Sequence, residues 1–356
     1  MVIGKMEYKS VLNNIETENA IKFVKDTFQK KLSETLQLQR VTAPLFVKSS
    51  TGLNDNLSGV EQPVSFTMKH TGEKCEIVHS LAKWKRMKLH DMNTEPGFGI
   101  YTDMNAIRCE ETLDNIHSLY VDQWDWEAVI NDKQYKFGIN TLYLYATKIY
   151  DAIYETLYVV QRKYLKLSNE LPKTFKFITA EELLQRYPDL SPEEREHEIC
   201  KKHKAVFICG IGHELSNGKP HGMRAPDYDD WSTFGTYAAE IDSNPDILHY
   251  IKNYGLNGDL LVWYEPLKRS IELSSMGIRV NAETLKRQCE ITGDTDRLDK
   301  YDYHKMILNN ELPLTIGGGI GQSRLCMIML EKLHIGEVQA SVWDNETLSC
   351  NMNILQ

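Results

Sequence analysis

The 356-residue sequence has no apolar run long enough to cross a bilayer, and its start, Met1-Val2-Ile3-Gly4-Lys5, lacks the apolar core of a signal peptide. A cytoplasmic chain is the expectation. It also lacks any Cys-x-x-Cys pair: Cys75, Cys109, Cys200, Cys209, Cys289, Cys326 and Cys350 are scattered, odd in number, and not accompanied by clustered histidines. That argues against a structural zinc site and for a reducing compartment. There is no long basic run, and 41 Lys and Arg against 50 Asp and Glu leave a net charge of -9. Non-specific nucleic-acid binding needs many phosphate-neutralising cations, so it is not expected. Internal repeats and low-complexity tracts are absent too. What remains, 42% hydrophobic and 10% aromatic residues, suffices to bury a large core. One domain over 1–356 is expected, with a short N-terminal extension (1–16) and a polar surface insertion (233–253).

The stretch Thr315-Ile316-Gly317-Gly318-Gly319-Ile320-Gly321-Gln322-Ser323-Arg324 places four glycines ahead of an apolar helical run. It predicts a flexible turn feeding a helix N-terminus, with Arg324 on the first helical turn. Such a turn either enters a buried helix or cradles a flat ligand that Arg324 covers. No Gly-Lys-Ser/Thr ending and no strand–helix repeat accompany it, which excludes the usual phosphate and dinucleotide loops.

Periodicity supplies the elements around it. Ile21, Val24, Phe28 and Leu32 share a stripe, predicting a helix over Thr17–Leu36. Pro44 makes the following run, Leu38–Val47, an edge or interface strand. In Asn54-Asp55-Asn56-Leu57-Ser58-Gly59, Asp55 is a turn former or a ligand. A strand over Cys75–Leu81 precedes a short helix, Ala82–Leu89, whose Lys83, Lys85 and Arg86 read as a solvated face. A strand over Phe98–Arg108 aligns Thr102, Met104, Ala106 and Arg108 and leads into Cys109-Glu110-Glu111. Another over His117–Trp126 puts Val121, Gln123 and Asp125 on one face, as a satisfied core network or a ligand contact. A packing helix is expected over Asn140–Tyr164, then a strand over Thr174–Ile178 and helices opened by Thr179 and Ser191-Pro192. After a buried strand, Ala205–Cys209, the loop Arg224–Trp231 is too acidic and aromatic for a linker. Strands Asp259–Tyr264 and Ile271–Arg279 open with Asp259 and Glu272, which suit a magnesium ion carrying a nucleotide or a plain cross-strand polar pair. Helices follow over Ala282–Ile291 and Arg297–Leu308.

Three of these signals occur in a telling order: helix plus Pro44 strand, Arg108-Cys109-Glu110, and Gly-x-Gly-x-Gly-x-x-Arg ending at Arg324. They resemble motifs one to three of the class II aminoacyl-tRNA synthetase catalytic fold. Longer segments resemble the ammonia-dependent asparagine synthetase (aspartate–ammonia ligase) family: Asn54 to Gly59, Val78 to Arg86, Tyr120 to Glu127, Arg224 to Ser232, Leu273 to Arg279 and Thr315 to Leu325. The resemblance implies an α+β fold, an antiparallel sheet flanked by helices, and a homodimer built on the first helix and strand. It implies a two-step reaction in which the aspartate side chain attacks the α-phosphate of ATP, and ammonia then displaces AMP from β-aspartyl-AMP.

Roles follow from the same resemblance. Arg108 bridges the α-phosphate and the substrate carboxylate, Gln123 donates to the carbonyl oxygen as charge builds there, and Asp55 holds ammonium and takes its proton. Ser80 and Lys85 bind the α-carboxylate, Asp125 and Ser275 lie near the α-amino group, and Ser274 and Asp229 complete the aspartate site. Arg324 clamps the nucleotide on Gly317, Gly319 and Gly321, with Glu111, His117 and Ser118 nearby, and Asp259 with Glu272 holds Mg2+. A tRNA-charging rival needs an anticodon-binding domain ahead of the first helix, where only residues 1–16 stand. A glutamine-dependent rival needs an N-terminal cysteine nucleophile, and residue two is Val2. Extra residues against the family pattern are expected near Asn131–Asn140.

Overall fold

The computed structural model describes residues 8–55, 57, 61–131, 137–241, 244–350 and 352–356. Expectations for Asn56, Ser58 and Gly59, for the first seven residues of the extension and for 132–136 lie outside the described residues. In the first third the elements are α1 (Asn14–Leu36), β1 (Leu38–Arg40), β2 (Phe46–Lys48), β3 (Ser65–Thr67), β4 (Lys74–Ile77), α2 (Ala82–Asp91), β5 (Gly99–Ile107) and β6 (Tyr120–Val129). Then come α3 (Ile139–Lys163), β7 (Lys176–Thr179), α4 (Ala180–Arg186), α5 (Pro192–His203), β8 (Ala205–Cys209), β9 (Phe234–Ile241) and β10 (Asn244–Tyr254). The remainder is β11 (Asn257–Tyr264), β12 (Arg269–Ile278), α6 (Ala282–Thr292), α7 (Arg297–Lys300), α8 (Asp302–Leu308), β13 (Thr315–Gly321), α9 (Gln322–Met329) and α10 (Asn345–Leu348).

Eight strands form one sheet in the order β1-β5-β6-β13-β12-β11-β8-β7. The sheet is mixed, which corrects the antiparallel expectation: β1 runs parallel to β5 and β7 parallel to β8. Parallel neighbours need a crossover, and α4 with α5 supplies it between β7 and β8. A three-stranded sheet of β2, β4 and β3 lies between β1 and β5 in the chain, and the β9–β10 hairpin forms a two-stranded sheet of its own among the described residues.

Helices α1, α3 and α9 cover one face. Asn13 and Glu16 form a reciprocal capping box that starts α1, whose Ala20, Val24, Phe28 and Leu32 are buried. They meet Leu142, Tyr145, Ile149 and Ile153 of α3 and the inward side chains Trp124, Trp126, Ile316 and Ile320 of the sheet in one apolar cluster. Strand alternation therefore sends Gln123, Asp125 and Glu127 of β6 to the opposite face. No described helix is long and apolar enough to cross a membrane.

That opposite face carries two corrections. The glycine stretch is a strand, β13, in the middle of the sheet between β6 and β12. None of its glycines has a positive φ, so glycine is there for room and not for a turn. A Cβ at Gly317 would lie 1.9 Å from Glu127 Oε2, and one at Gly319 would lie 2.2 Å from Gln123 Oε1. Second, Lys83, Lys85 and Arg86 of α2 do not form a solvated face; all three are buried. Helix α2 packs on this polar side of the sheet, and its cations find partners there that are distant in sequence.

Candidate active site

Across the polar face the register aligns Thr102, Asp125, Gly319, Ser275 and Asp259 as successive cross-strand partners. A parallel row runs through Glu127, Gly317, Gly277 and Asn257. The glycines thin the middle of both rows, and two adjoining cavities open there.

The first cavity, about 320 Å³, is lined by Asp55, Ser80, Lys85, Arg108, Gln123, Asp125, Asp229, Ser275 and Arg279 among others. The second, about 240 Å³, is lined by Arg108, Glu111, His117, Ser118, Gln123, Gly319, Gly321 and Arg324 among others. Arg108, Glu111, Gln123, Glu272 and Gly319 border both. Three expected residues fall outside these linings: Asp259, which Arg224 holds, and Ser274 and Gly317. Alternation points Ser274 with its partner Ile320 toward the helix-covered side, where its Oγ has no hydrogen-bond partner among the described residues. Gly317 is taken up with clearing Glu127 and Arg279.

The first cavity is walled by paired charges. Lys85 donates to Asp125, to Trp126 O at 2.9 Å and to Gly318 O at 3.1 Å, with Glu127 at 3.9 Å. Burial pulls the Lys85 ammonium pKa down against those carboxylates. Arg279 grips Glu127 through Nε at 3.0 Å and Nη2 at 2.7 Å, and its Nη1 donates to Asp229. Thr315 Oγ1 adds a donor to Glu127 at 2.7 Å. Burial would raise the Glu127 carboxyl pKa, but Arg279 holds it below the ordinary value. Asp229 goes the other way, raised by burial despite Arg279 and Arg224.

Asp55 is buried at the edge of this cavity, its Oδ1 accepting from Leu57 N at 3.0 Å. Burial raises its pKa, opposed by Lys83. Arg224 Nη2 donates to both Asp259 oxygens at 2.8 and 2.7 Å and lies 3.5 Å from Ser275 Oγ. Glu272 is raised by burial and by neighbouring Asp259.

The second cavity is different. Among the described residues Arg324 donates only to backbone carbonyls, Glu272 O at 3.1 Å and Ile116 O at 3.4 Å. Arg108 donates to His79 O at 3.3 Å, and its buried Nε has no partner among the described residues. A buried N–H left open beside two cavities is a vacancy in hydrogen bonding that a ligand oxygen would fill. His117 Nδ1 lies 2.8 Å from Asp114, whose carboxyl burial would raise but the His117 contact holds well below the usual range.

Sequence reasoning gave no role to Glu127, Arg224, Arg279, Lys83 or Asp227. Two of them were signalled by period two: Glu127 continues Gln123 and Asp125, and Arg279 continues Ser275 and Gly277.

The model of the aspartate–ammonia ligase family matches residues 15–353. The chain belongs to the aspartate–ammonia ligase family. It is 53% identical to the aspartate–ammonia ligase of Bacteroides fragilis over 348 residues, 97% of this chain and 95% of that one. It is 50% identical to the ligase of Lactobacillus johnsonii, covering 97% and 96%. Among solved structures it is similar to asparaginyl-tRNA synthetase of Entamoeba histolytica in complex with asparaginyl-adenylate, with a TM-score of 0.60 at 15% identity, over 92% of this chain and 66% of that one. The Pyrococcus horikoshii asparaginyl-tRNA synthetase matches with a TM-score of 0.60 at 15% identity, over 91% and 68%. At that identity the likeness shows the fold: this ligase has the class II aminoacyl-tRNA synthetase-like architecture that its motifs resemble.

Proposed function

We propose that this chain is an aspartate–ammonia ligase that makes L-asparagine from L-aspartate, ATP and ammonia through β-aspartyl-AMP, releasing AMP and pyrophosphate, as one catalytic domain. The observation that carries the reading is the family match over 15–353. The two cavities meeting at Arg108 and Gln123 support an in-line geometry for it. Aspartate occupies the ion-paired cavity and ATP the one under Arg324. Arg108, with N–H groups to spare between them, neutralises the α-phosphate as the β-carboxylate attacks it. Gln123 donates to the same carbonyl oxygen when ammonia adds. Ser80, Lys85, Asp125, Asp229 and Ser275 receive the amino acid's charged groups, Glu111, His117, Ser118, Gly319 and Gly321 border the nucleotide, and Asp55 takes the ammonium proton.

The Glu272 carboxylate, raised by burial and by neighbouring Asp259 and faced by Arg324 and Arg224, fits a magnesium ion, which needs few protein carboxylates. Bound there, the ion would neutralise phosphate charge, and Arg224 would yield part of its hold on Asp259. A homodimer is supported by apolar side chains left exposed around the early strands, Leu45, Phe46, Phe66 and Phe98. The seven free cysteines suit a reducing cytoplasm.

The test is to supply ATP, magnesium and aspartate with either ammonium or glutamine. AMP, pyrophosphate and asparagine are expected with ammonium. ADP and phosphate would overturn the adenylate route, and preference for glutamine would overturn the ammonia dependence.

A further inference from the structure

Beside the second cavity, four polar side chains that the reaction as described does not use meet at the start of α9. Asp122 of β6 is almost fully buried. Its Oδ1 accepts from Ser323 N at 3.1 Å and from Gln339 Nε2 at 3.3 Å, and its Oδ2 accepts from Lys25 Nζ of α1 at 3.1 Å. Gln339 Nε2 also donates to Ser323 Oγ at 3.0 Å. Asp122, Ser323, Arg324 and Gln339 all line the cavity.

These contacts supply what α9 lacks. The first N–H groups of a helix have no partner within it, and a Ser, Thr, Asp or Asn at the N-cap ordinarily accepts from one of them. The N-cap of α9 is Gly321, which has no side chain to do so. A Cβ there would already lie 3.5 Å from Arg324 Cβ, so a capping side chain would crowd Arg324 at the cavity. Asp122, on the neighbouring strand, accepts instead from Ser323, the second residue of the helix. Arg324 is the third. Among the described residues its guanidinium donates only to two backbone carbonyls, so it is placed by the backbone that carries it. Alternation gives adjacent residues separate tasks: Asp122 turns to the helix-covered side and Gln123 to the cavities.

We propose that Asp122 is a positioning residue for nucleotide binding: by capping α9 from β6 it holds Arg324 at the second cavity. This rests on that cavity being the ATP site. Lys25 offsets part of the cost of burying the carboxylate, and Gln339 ties the start of α9 to the segment that follows the helix.

The experiment measures the KM values for ATP and aspartate in Asp122→Ala, Asp122→Asn, Arg324→Ala and the Asp122→Ala/Arg324→Ala double variant. Asp122→Ala should raise the KM for ATP on the order of tenfold, the scale of a lost cap, and leave the KM for aspartate in place. Asparagine caps as well as aspartate, and Lys25, whose side chain is already 31% exposed, can turn to solvent, so Asp122→Asn should recover most of the loss. In the Arg324→Ala background no guanidinium is left to place, and Asp122→Ala should add nothing. An unchanged KM for ATP in folded Asp122→Ala overturns the proposal, as does a parallel rise in both constants, the mark of a merely structural residue. Asp122→Asn as impaired as Asp122→Ala overturns capping as the cause. A rise that adds fully to that of Arg324→Ala also overturns the proposal, because Asp122 would then act without Arg324. Should Asp122→Ala fail to fold, Asp122→Ser keeps a polar side chain and stops its hydroxyl one bond short of Ser323, which makes the same cut. Arg324→Ala alone separates the two ideas. If it leaves the KM for ATP in place, the nucleotide reading of the cavity falls and the proposal falls with it; if it raises that constant while Asp122→Ala does not, only the Asp122 assignment falls.

Discussion

The two cavities share one wall and treat charge in opposite ways. In the cavity proposed for aspartate every lining cation except the shared Arg108 is paired with a carboxylate: Lys85 with Asp125, Arg279 with Glu127 and Asp229, Arg224 with Asp259. In the cavity proposed for the nucleotide, Arg324 and Arg108 hydrogen-bond only backbone carbonyls among the described residues. An amino acid with charges of both signs is recognised by alternating fixed charges, which remain paired with one another when it leaves. A polyphosphate is recognised by guanidinium charge that no protein acid has cancelled. The same sheet therefore spends its rigidity on one side and its positive charge on the other.

The sharpest way to break that contrast lies within β13. Gly317→Ala puts a methyl group 1.9 Å from Glu127 Oε2 and 2.6 Å from Arg279 Nη2. Strand backbone cannot retreat in mid-sheet, so the buried Glu127–Arg279 pair must separate, at a cost of about 3–5 kcal/mol. Gly321→Ala, four residues on, meets only the Arg324 side chain at 3.5 Å or more. It should cost well under ~1 kcal/mol, an ordinary surface-like change. Urea denaturation of the two variants measures the difference; equal stabilities would refute the view that the glycines clear the aspartate-side network.

Next in size is Arg108→Ala, which removes the one cation bordering both cavities. Pyrophosphate exchange should fall on the order of 10²–10³-fold, the usual loss for a donor aimed at developing charge, with the thermal midpoint nearly unchanged. Among the described residues no carboxylate hydrogen-bonds to Arg108, so its removal leaves none of them unpaired. A large loss of stability with little loss of exchange would move Arg108 to the structural side of the contrast.

The contrast also marks what sequence could and could not disclose. Helices α1 and α3 are legible because their apolar period is local, and the strand expected over Ala205–Cys209 is β8 end to end. Alternation correctly grouped Gln123 with Asp125 and, carried two residues further, reaches Glu127. The glycine strand was not legible. Glycine is a poor strand former, and the demand for it comes from Glu127, Gln123 and Arg279 on other strands. Lys83, Lys85 and Arg86 looked solvated because Asp227, Asp125 and Val280 O, their partners, are far along the chain. The helix expected over Arg297–Leu308 divides at Tyr301, whose backbone is extended where its ring meets Gly52. Ser274 and Ser275 are chemically alike, and only the pairing with Ile320 or Gly319 tells which faces the cavity.

The smallest expected loss of function, and the finest test of the side proposed for the nucleotide, is Arg324→Lys. Charge is kept, so a site that used Arg324 only as a cation would lose little. A lysine, however, is a point charge on a flexible stem; it cannot present a planar face to adenine or hold Glu272 O and Ile116 O together. The KM for ATP should rise about tenfold, roughly 1.4 kcal/mol, while the KM for aspartate stays put because the ion pairs around Lys85 and Arg279 are untouched. A parallel rise in both constants would show that the two cavities are one coupled network. An unchanged ATP constant would reduce Arg324 to a simple counter-charge and leave its planar geometry without a role.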